Sequence, residues 1–297
     1  MARVLVNGVH LNVRVEGSGP PLVALHGFTG DMDTWRGFAR AAARHQHTVV
    51  RIDLLGHGRS DCPSDPQRYS MERCAEDLTR VLDVLGLRRA AWMGYSLGGR
   101  IALGVALAAP ERCLALVLEG ASPGLADPAE RAQRVASDEG LARLLEEKGA
   151  PSFVEVWEAL PLWASQGRLP PEERLRLRAQ RLRNRPAGLA GSLRGIGTGA
   201  QPSYHHRLRG LSLPTLMVVG EEDSKFREVA QAMCRLLPQG QLAAIPEAGH
   251  TAHLEQSQSF NRTVLDFLQR HRGTPKAIPA GGASAGQAAT DPPTSVA

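Results

Sequence analysis

Cysteine is scarce in this 297-residue chain and never closely paired: Cys62, Cys74, Cys113 and Cys234 are scattered without a CxxC. That spacing argues against a disulfide framework or a thiolate zinc site and predicts reduced, mostly buried thiols. Aromatic residues make up only 4% of the chain and do not interleave with basic runs, and the formal charge of +5 is modest. A nucleic-acid partner is therefore not expected. Also missing is any run approaching the roughly 20 apolar residues of a membrane helix. The opening residues, MARVLVNGVHLNVRVEG, alternate like strands and lack the apolar block of a signal peptide. A cytoplasmic protein is expected.

What is present is 42% hydrophobic and 22% charged residues, the composition of a globular protein with a large core. Short apolar runs bounded by turn residues recur at 21–27, 48–54, 90–96, 114–120, 215–220 and 242–249, as buried parallel strands do. Helical patterns lie between them; in SMERCAEDLTRVLDVLG, Cys74, Leu78, Val81, Leu82 and Leu85 recur at spacings of three and four. This alternation predicts an α/β fold with a mostly parallel sheet flanked by helices. It stops near Ala121 and resumes near Pro214, and so long a stretch without strands predicts an inserted helical lid. The expected organisation is a core formed by 1–120 and 213–271, a lid over 121–212, and a disordered tail over 272–297, where small residues and proline dominate. The protein is expected to be a monomer or small homo-oligomer.

The chemistry centres on MGYSLGGRIALG, residues 93–104, where Gly94, Ser96 and Gly98 spell GxSxG. The motif follows an apolar strand and opens a helical pattern, the context of a nucleophile elbow that raises a serine above the sheet edge. A serine hydroxyl is inert until a base accepts its proton, so an acid and a histidine should follow in that chain order. Of ten histidines, His250 follows a strand and turn (AAIPEAGH) and precedes the last helix, on the same edge as Ser96. His205, His206 and His271 are read as solvated lid or near-tail residues. Three carboxylates, Glu221, Glu222 and Asp223, follow the strand TLMVVG. Asp223 lies furthest beyond it, where it could turn back towards His250. The backbone amides of Phe28, in LHGFTG, and Leu97, at a helix N-terminus, could form an oxyanion hole. His26 and His57 are read as structural members of packed loops.

Arg100 lies one turn after Ser96 on an otherwise apolar helix. Buried there, a guanidinium would need a carboxylate partner and would repel a cationic substrate. The lid repeats the theme: residues 121–212 hold 14 Arg and Lys against 10 Asp and Glu, +4 of the formal +5. Arg174, Arg178, Arg181 and Arg185 form one stripe beside Leu175, Ala179 and Leu182. A stripe bordering the apolar side could reach into a cleft, although a solvated face is the ordinary alternative.

Together LHGFTGDMDTW, DLLGHGRSD, GYSLGGRIAL, LEGASPGL, ERAQR, TGAQPSY, GEEDSKF and AGHTAHLE resemble the α/β-hydrolase superfamily. Within it they resemble the 2-succinyl-6-hydroxy-2,4-cyclohexadiene-1-carboxylate synthases (MenH), over roughly residues 3–270. Leu55 departs from the proline common in such loops, and the tail has no counterpart. The resemblance implies a lyase needing no metal or organic cofactor, which removes pyruvate from 2-succinyl-5-enolpyruvyl-6-hydroxy-3-cyclohexene-1-carboxylate in menaquinone biosynthesis. By motif, Ser96, Asp223 and His250 would be the triad, with serine acting as a base. Tyr95, Arg100, Arg134, Arg181 and Lys225 would bind the polycarboxylate; Trp157 could bind it or belong to the lid core. The alternative is a serine hydrolase acting on an ester, thioester or carbon-carbon bond of an anionic substrate.

Overall fold

The apolar runs become strands because both of their faces find cover. The computed structural model describes residues 2–272. In it, β1 (Ala2–Val6) and β2 (Val9–Gly17) form a hairpin, followed by β3 (Pro21–Leu25), β4 (Thr48–Ile52) and β5 (Ala90–Tyr95). Then come β6 (Cys113–Glu119), β7 (Thr215–Gly220) and β8 (Gly240–Ile245). These strands make one sheet in the order β1-β2-β4-β3-β5-β6-β7-β8. β2 pairs antiparallel with β1 and β4, and every other pair is parallel.

Alternate residues of the central strands feed two cores. Val23, Leu25, Trp92, Leu116 and Leu118 pack with α2 (Met71–Val84), α3 (Leu97–Ala108) and α7 (Ser224–Leu236). Leu22, Ala24, Met93, Ala115 and Val117 pack with α1 (Arg36–Arg44) and α9 (Ser257–Arg270) on the other face. A side chain shielded this way contributes about 1.5–3 kcal/mol relative to leaving it exposed, which is why these strands read as unbroken apolar runs rather than alternating ones.

Between β6 and β7 the chain is helical: α4 (Pro128–Glu158), α5 (Pro171–Leu182) and α6 (Pro186–Ile196). The long α4 is broken at Gly149, whose φ of 75° and ψ of 179° are not helical, two residues before Pro151. Proline removes a helical donor and excludes the preceding turn, so the kink is local chemistry. Phe153, Val154, Trp157, Leu189 and Leu193 turn inward and join the second core, so the insertion packs continuously with the sheet domain. A short α8 (Ala252–Glu255) follows the loop carrying His250. Apart from Arg272, the expected tail lies outside the described residues. Among the described residues, no helix is long and apolar enough to cross a membrane.

Candidate active site

The strand β5 ends at Tyr95 and α3 starts at Leu97, so a single residue, Ser96, turns the chain from sheet to helix. It does so with φ 49° and ψ −108°, a left-handed backbone that costs a non-glycine residue free energy. Two neighbours make the turn possible. A Cβ on Gly94 would lie 2.2 Å from the Gly98 carbonyl, and one on Gly98 would lie 2.3 Å from the Leu25 carbonyl oxygen. The turn is pinned from outside by the Ser96 amide, which donates to the Glu119 carbonyl at 2.8 Å. The Ser96 side chain does not cap its own helix, and it lines a cavity of about 550 Å3.

His250 comes to the same cavity from the loop after β8, and Asp223 stands behind it as the N-cap of α7. His250 Nδ1 donates to Asp223 Oδ2 at 2.6 Å, while Asp223 Oδ1 accepts from the Phe226 amide at 3.3 Å. Both residues are buried. A carboxylate only accepts, so this bond keeps the proton on Nδ1 and leaves Nε2 basic. Tyr95, Trp163 and Phe226 surround the imidazole, with ring centroids 5.4, 5.6 and 4.5 Å away. The other two carboxylates point elsewhere: Glu221 and Glu222 are exposed, and Glu222 pairs with Arg168 at 2.7 Å.

Phe28 and Leu97 line the cavity beside Ser96. Leu97 is the first residue of α3, where an amide has no partner within the helix. The loop carrying Phe28 is held by His26. Its Nδ1 donates to the Gly27 carbonyl at 2.8 Å and its Nε2 accepts from the Leu54 amide at 3.0 Å, a neutral structural histidine. His57 packs beside it, ring centroids 5.1 Å apart, and donates from Nδ1 to the Leu55 carbonyl.

Arg100 is 8% exposed and lines the cavity one turn beyond Ser96. The carboxylate partner expected for it is not there. Its Nη1 donates to the Ile196 carbonyl at 2.9 Å and to Gln201 Oε1 at 2.7 Å, both neutral acceptors. Burial pulls its pKa down to about 10, with repulsion from Arg134 adding to the effect. Arg134, on α4, also lines the cavity, and its Nε donates to Asp138 Oδ1 at 2.8 Å. Tyr95 lines the wall with a buried hydroxyl that has no partner, and burial raises its pKa well above the ordinary value. Lys225 lines the rim, exposed, with Nζ 6.0 Å from the Phe226 ring. Trp157 lines the cavity and packs against Phe28, Phe153 and Trp163.

Arg181 departs from expectation. It does not line the cavity; it pairs with Glu158 at 2.8 Å, donates to Gln166 at 3.0 Å and lies over the Trp163 ring, 5.5 Å from its centroid. Two more of the stripe behave alike, Arg178 pairing with Glu158 and Arg185 bonding the Ser60 carbonyl, while Arg174 is exposed. These arginines fasten the helical insertion. Two residues near the ligand space were missed. His205 lines the cavity, with Nδ1 3.0 Å from Ser203 Oγ, and Gln201 holds Arg100. For Gln201 the only available signal was TGAQPSY, a stretch that resembled a family without revealing a role, and His205 lies just beyond it. A larger hollow of about 810 Å3, lined by Thr34, Trp35, Arg168 and Glu222, contains neither Ser96 nor His250. Chemistry rather than volume selects the site.

Comparison with known proteins bears on this arrangement. Residues 20–257 match the alpha/beta hydrolase fold family. A Bacillus subtilis protein, provisionally named 2-succinyl-6-hydroxy-2,4-cyclohexadiene-1-carboxylate synthase, is 41% identical over 88% of this chain and 96% of its own. The structure of MenH from S. aureus superposes with a TM-score of 0.84 at 34% identity, covering 88% of this chain and 99% of that one.

This chain belongs to the 2-succinyl-6-hydroxy-2,4-cyclohexadiene-1-carboxylate synthase family.

Membership in the MenH family narrows what the fold leaves open. A thermophilic esterase from Thermogutta terrifontis superposes with a TM-score of 0.80 at 27% identity, covering 91% of this chain and 97% of that one. The fold is thus shared with an esterase, and fold alone does not separate this MenH-family chain from it; the side chains around the serine must.

Proposed function

We propose that this protein eliminates pyruvate from 2-succinyl-5-enolpyruvyl-6-hydroxy-3-cyclohexene-1-carboxylate, a carbon-oxygen lyase step of menaquinone biosynthesis. Ser96, His250 and Asp223 form the triad, and Phe28 and Leu97 supply oxyanion donors. Tyr95, Arg100, Arg134, Trp157 and Lys225 surround the substrate. Arg181 belongs to the scaffold. The partner is a small polycarboxylate and the setting the cytoplasm, with residues 121–212 acting as a lid.

One observation carries this reading: a buried guanidinium, Arg100, faces the serine's cavity with only neutral partners. A buried charge without a counter-charge is costly. An anionic substrate removes that cost on binding, whereas a neutral ester does not.

The chemistry follows from the geometry. Asp223 fixes His250 with Nε2 basic, so the imidazole can take the Ser96 proton. Ser96 Oγ then takes a proton from a ring carbon. The released pair forms a new ring double bond, the existing ring double bond shifts by one position towards the C–O carbon, the ring C–O bond breaks, and the enolpyruvyl group leaves as an enolate. His250 returns its proton to that enolate, which becomes pyruvate, and Ser96 is already reprotonated. The Phe28 and Leu97 amides face the charge that develops. The resemblance to an esterase fold supports a second reading, hydrolysis through an acyl-Ser96. Coupled measurement of pyruvate release from the named substrate separates the two. Release without a trappable acyl-enzyme is expected, and a folded protein that releases no pyruvate would overturn the lyase reading.

A further inference from the structure

Arg100 is held in a manner that needs explanation. A buried arginine ordinarily acquires a carboxylate, because its desolvation is otherwise uncompensated. Here its partners are dipoles. Ile196 is the last residue of α6, so its carbonyl carries the partial negative charge of a helix C-terminus. Gln201 is 1% exposed and lies beyond the end of α6, its backbone N–H donating to the Gly197 carbonyl at 2.9 Å. Arginine can only donate, so Gln201 must present Oε1 to it, which leaves Nε2 as a buried donor without a partner. Of the nearby charges, Arg134 repels Arg100 and Asp138 attracts it, and these two are bonded to one another at 2.8 Å.

We infer that Gln201 is a specificity-determining positioning residue: its neutral acceptor fixes the Arg100 guanidinium against the cavity wall while leaving its charge for a substrate carboxylate. Glutamate has nearly the same shape and would hold Arg100 more firmly, but it would also neutralise it. The fold thus orients the cation with dipoles and lets the substrate supply the counter-charge. This inference rests on the reading that Arg100 meets a substrate carboxylate.

The test is Gln201→Glu, with Gln201→Met beside it as a variant that keeps volume and removes the acceptor. Two quantities are measured for each: KM and kcat for pyruvate release, and the dissociation constant of succinate by calorimetry. Gln201→Glu should keep the wild-type melting temperature or exceed it, while KM and the succinate constant rise tenfold or more and kcat changes less than KM. A merely structural glutamine would lose stability and activity together. Should Gln201→Glu fail to fold, Gln201→Met decides, with a three- to tenfold rise in KM expected from a loosened guanidinium. Succinate affinity and KM within twofold of wild type in a folded variant would overturn the inference. A wild-type protein that binds succinate, weakened by Gln201→Glu, yet releases no pyruvate would uphold the role of Gln201 and overturn the lyase reading instead.

Discussion

Arg100 and Arg181 are buried to nearly the same degree, at 8% and 9% exposure, and both were candidates to bind an anionic substrate. One stands on the cavity wall with neutral acceptors; the other sits in the helical insertion, on α5, with its charge already matched by Glu158. Burial and residue type are therefore poor guides to which cation serves a ligand, and the charge of the partner is a good one. A guanidinium bonded to a carboxylate has spent its specificity on the fold. A guanidinium bonded to dipoles has a charge still to be met.

The comparison requires that chemistry occur at the Arg100 end of the molecule. Ser96→Ala removes the proposed base and should lower kcat by about 10³ to 10⁶ with the melting temperature nearly unchanged. Retention of even a tenth of the activity would move the chemistry elsewhere. Arg100→Met comes next, with an expected loss of about 2–3 kcal/mol in kcat/KM, the worth of a hydrogen-bonded charge. Its thermal midpoint should move little, because the bonds lost to Ile196 and Gln201 oppose the relieved desolvation of the charge. Unchanged kinetics on the polyanion would put Arg100 in the scaffold beside Arg181.

Arg181→Met should show the opposite pattern. Removing one partner of a buried pair typically costs 3–5 kcal/mol, but here Arg178 also reaches Glu158, so about 2 kcal/mol of stability is expected. The kcat/KM of the folded fraction should stay within about threefold of wild type, the allowance left by its contact with Trp163. Denaturant titration with parallel kinetics checks both halves, and a kinetic loss without a stability loss would return Arg181 to the substrate.

Why the sequence separated the serine so clearly and the arginines so poorly follows from range. An elbow is a local device: strand, Gly94, Ser96, Gly98 and helix occupy a few consecutive residues, and backbone crowding dictates each of them. The strands were legible for a similar reason, since a run buried on both faces shows its burial in its own composition. The Asp223 to His250 bond spans 27 residues, yet topology brings both loops to one sheet edge, so only the choice among three neighbouring carboxylates stayed open. Arg100 meets Gln201 across 101 residues, and Arg181 meets Glu158 across 23 within the helical insertion. Periodicity placed Arg181 on the correct stripe. It could not say which way the stripe faced, or that Glu158 was waiting there.

His57 supplies a third kind of buried cation-former and the smallest of the expected effects. Unlike Arg100 it can discard its charge, and it does: fully buried, donating from Nδ1 to the Leu55 carbonyl and with Nε2 unpartnered, it has its pKa pushed down to about 3, mainly by burial. A histidine whose folded pKa lies below its unfolded value binds its proton more readily in the unfolded chain. Stability therefore rises with pH through this window and is lost progressively as pH falls from about 6.5 towards 3. Between pH 7 and 5.5 the loss from this one group should be about 1 kcal/mol. Urea titrations of wild type and His57→Gln at the two pH values test it through the difference in slope, which is independent of any fixed packing cost of the substitution. If the two proteins lost stability equally, His57 would not be the neutral group of this loop, and the contrast between a cation that keeps its charge for a ligand and one committed to the fold would rest on Arg100 and the Glu158-paired Arg181 alone.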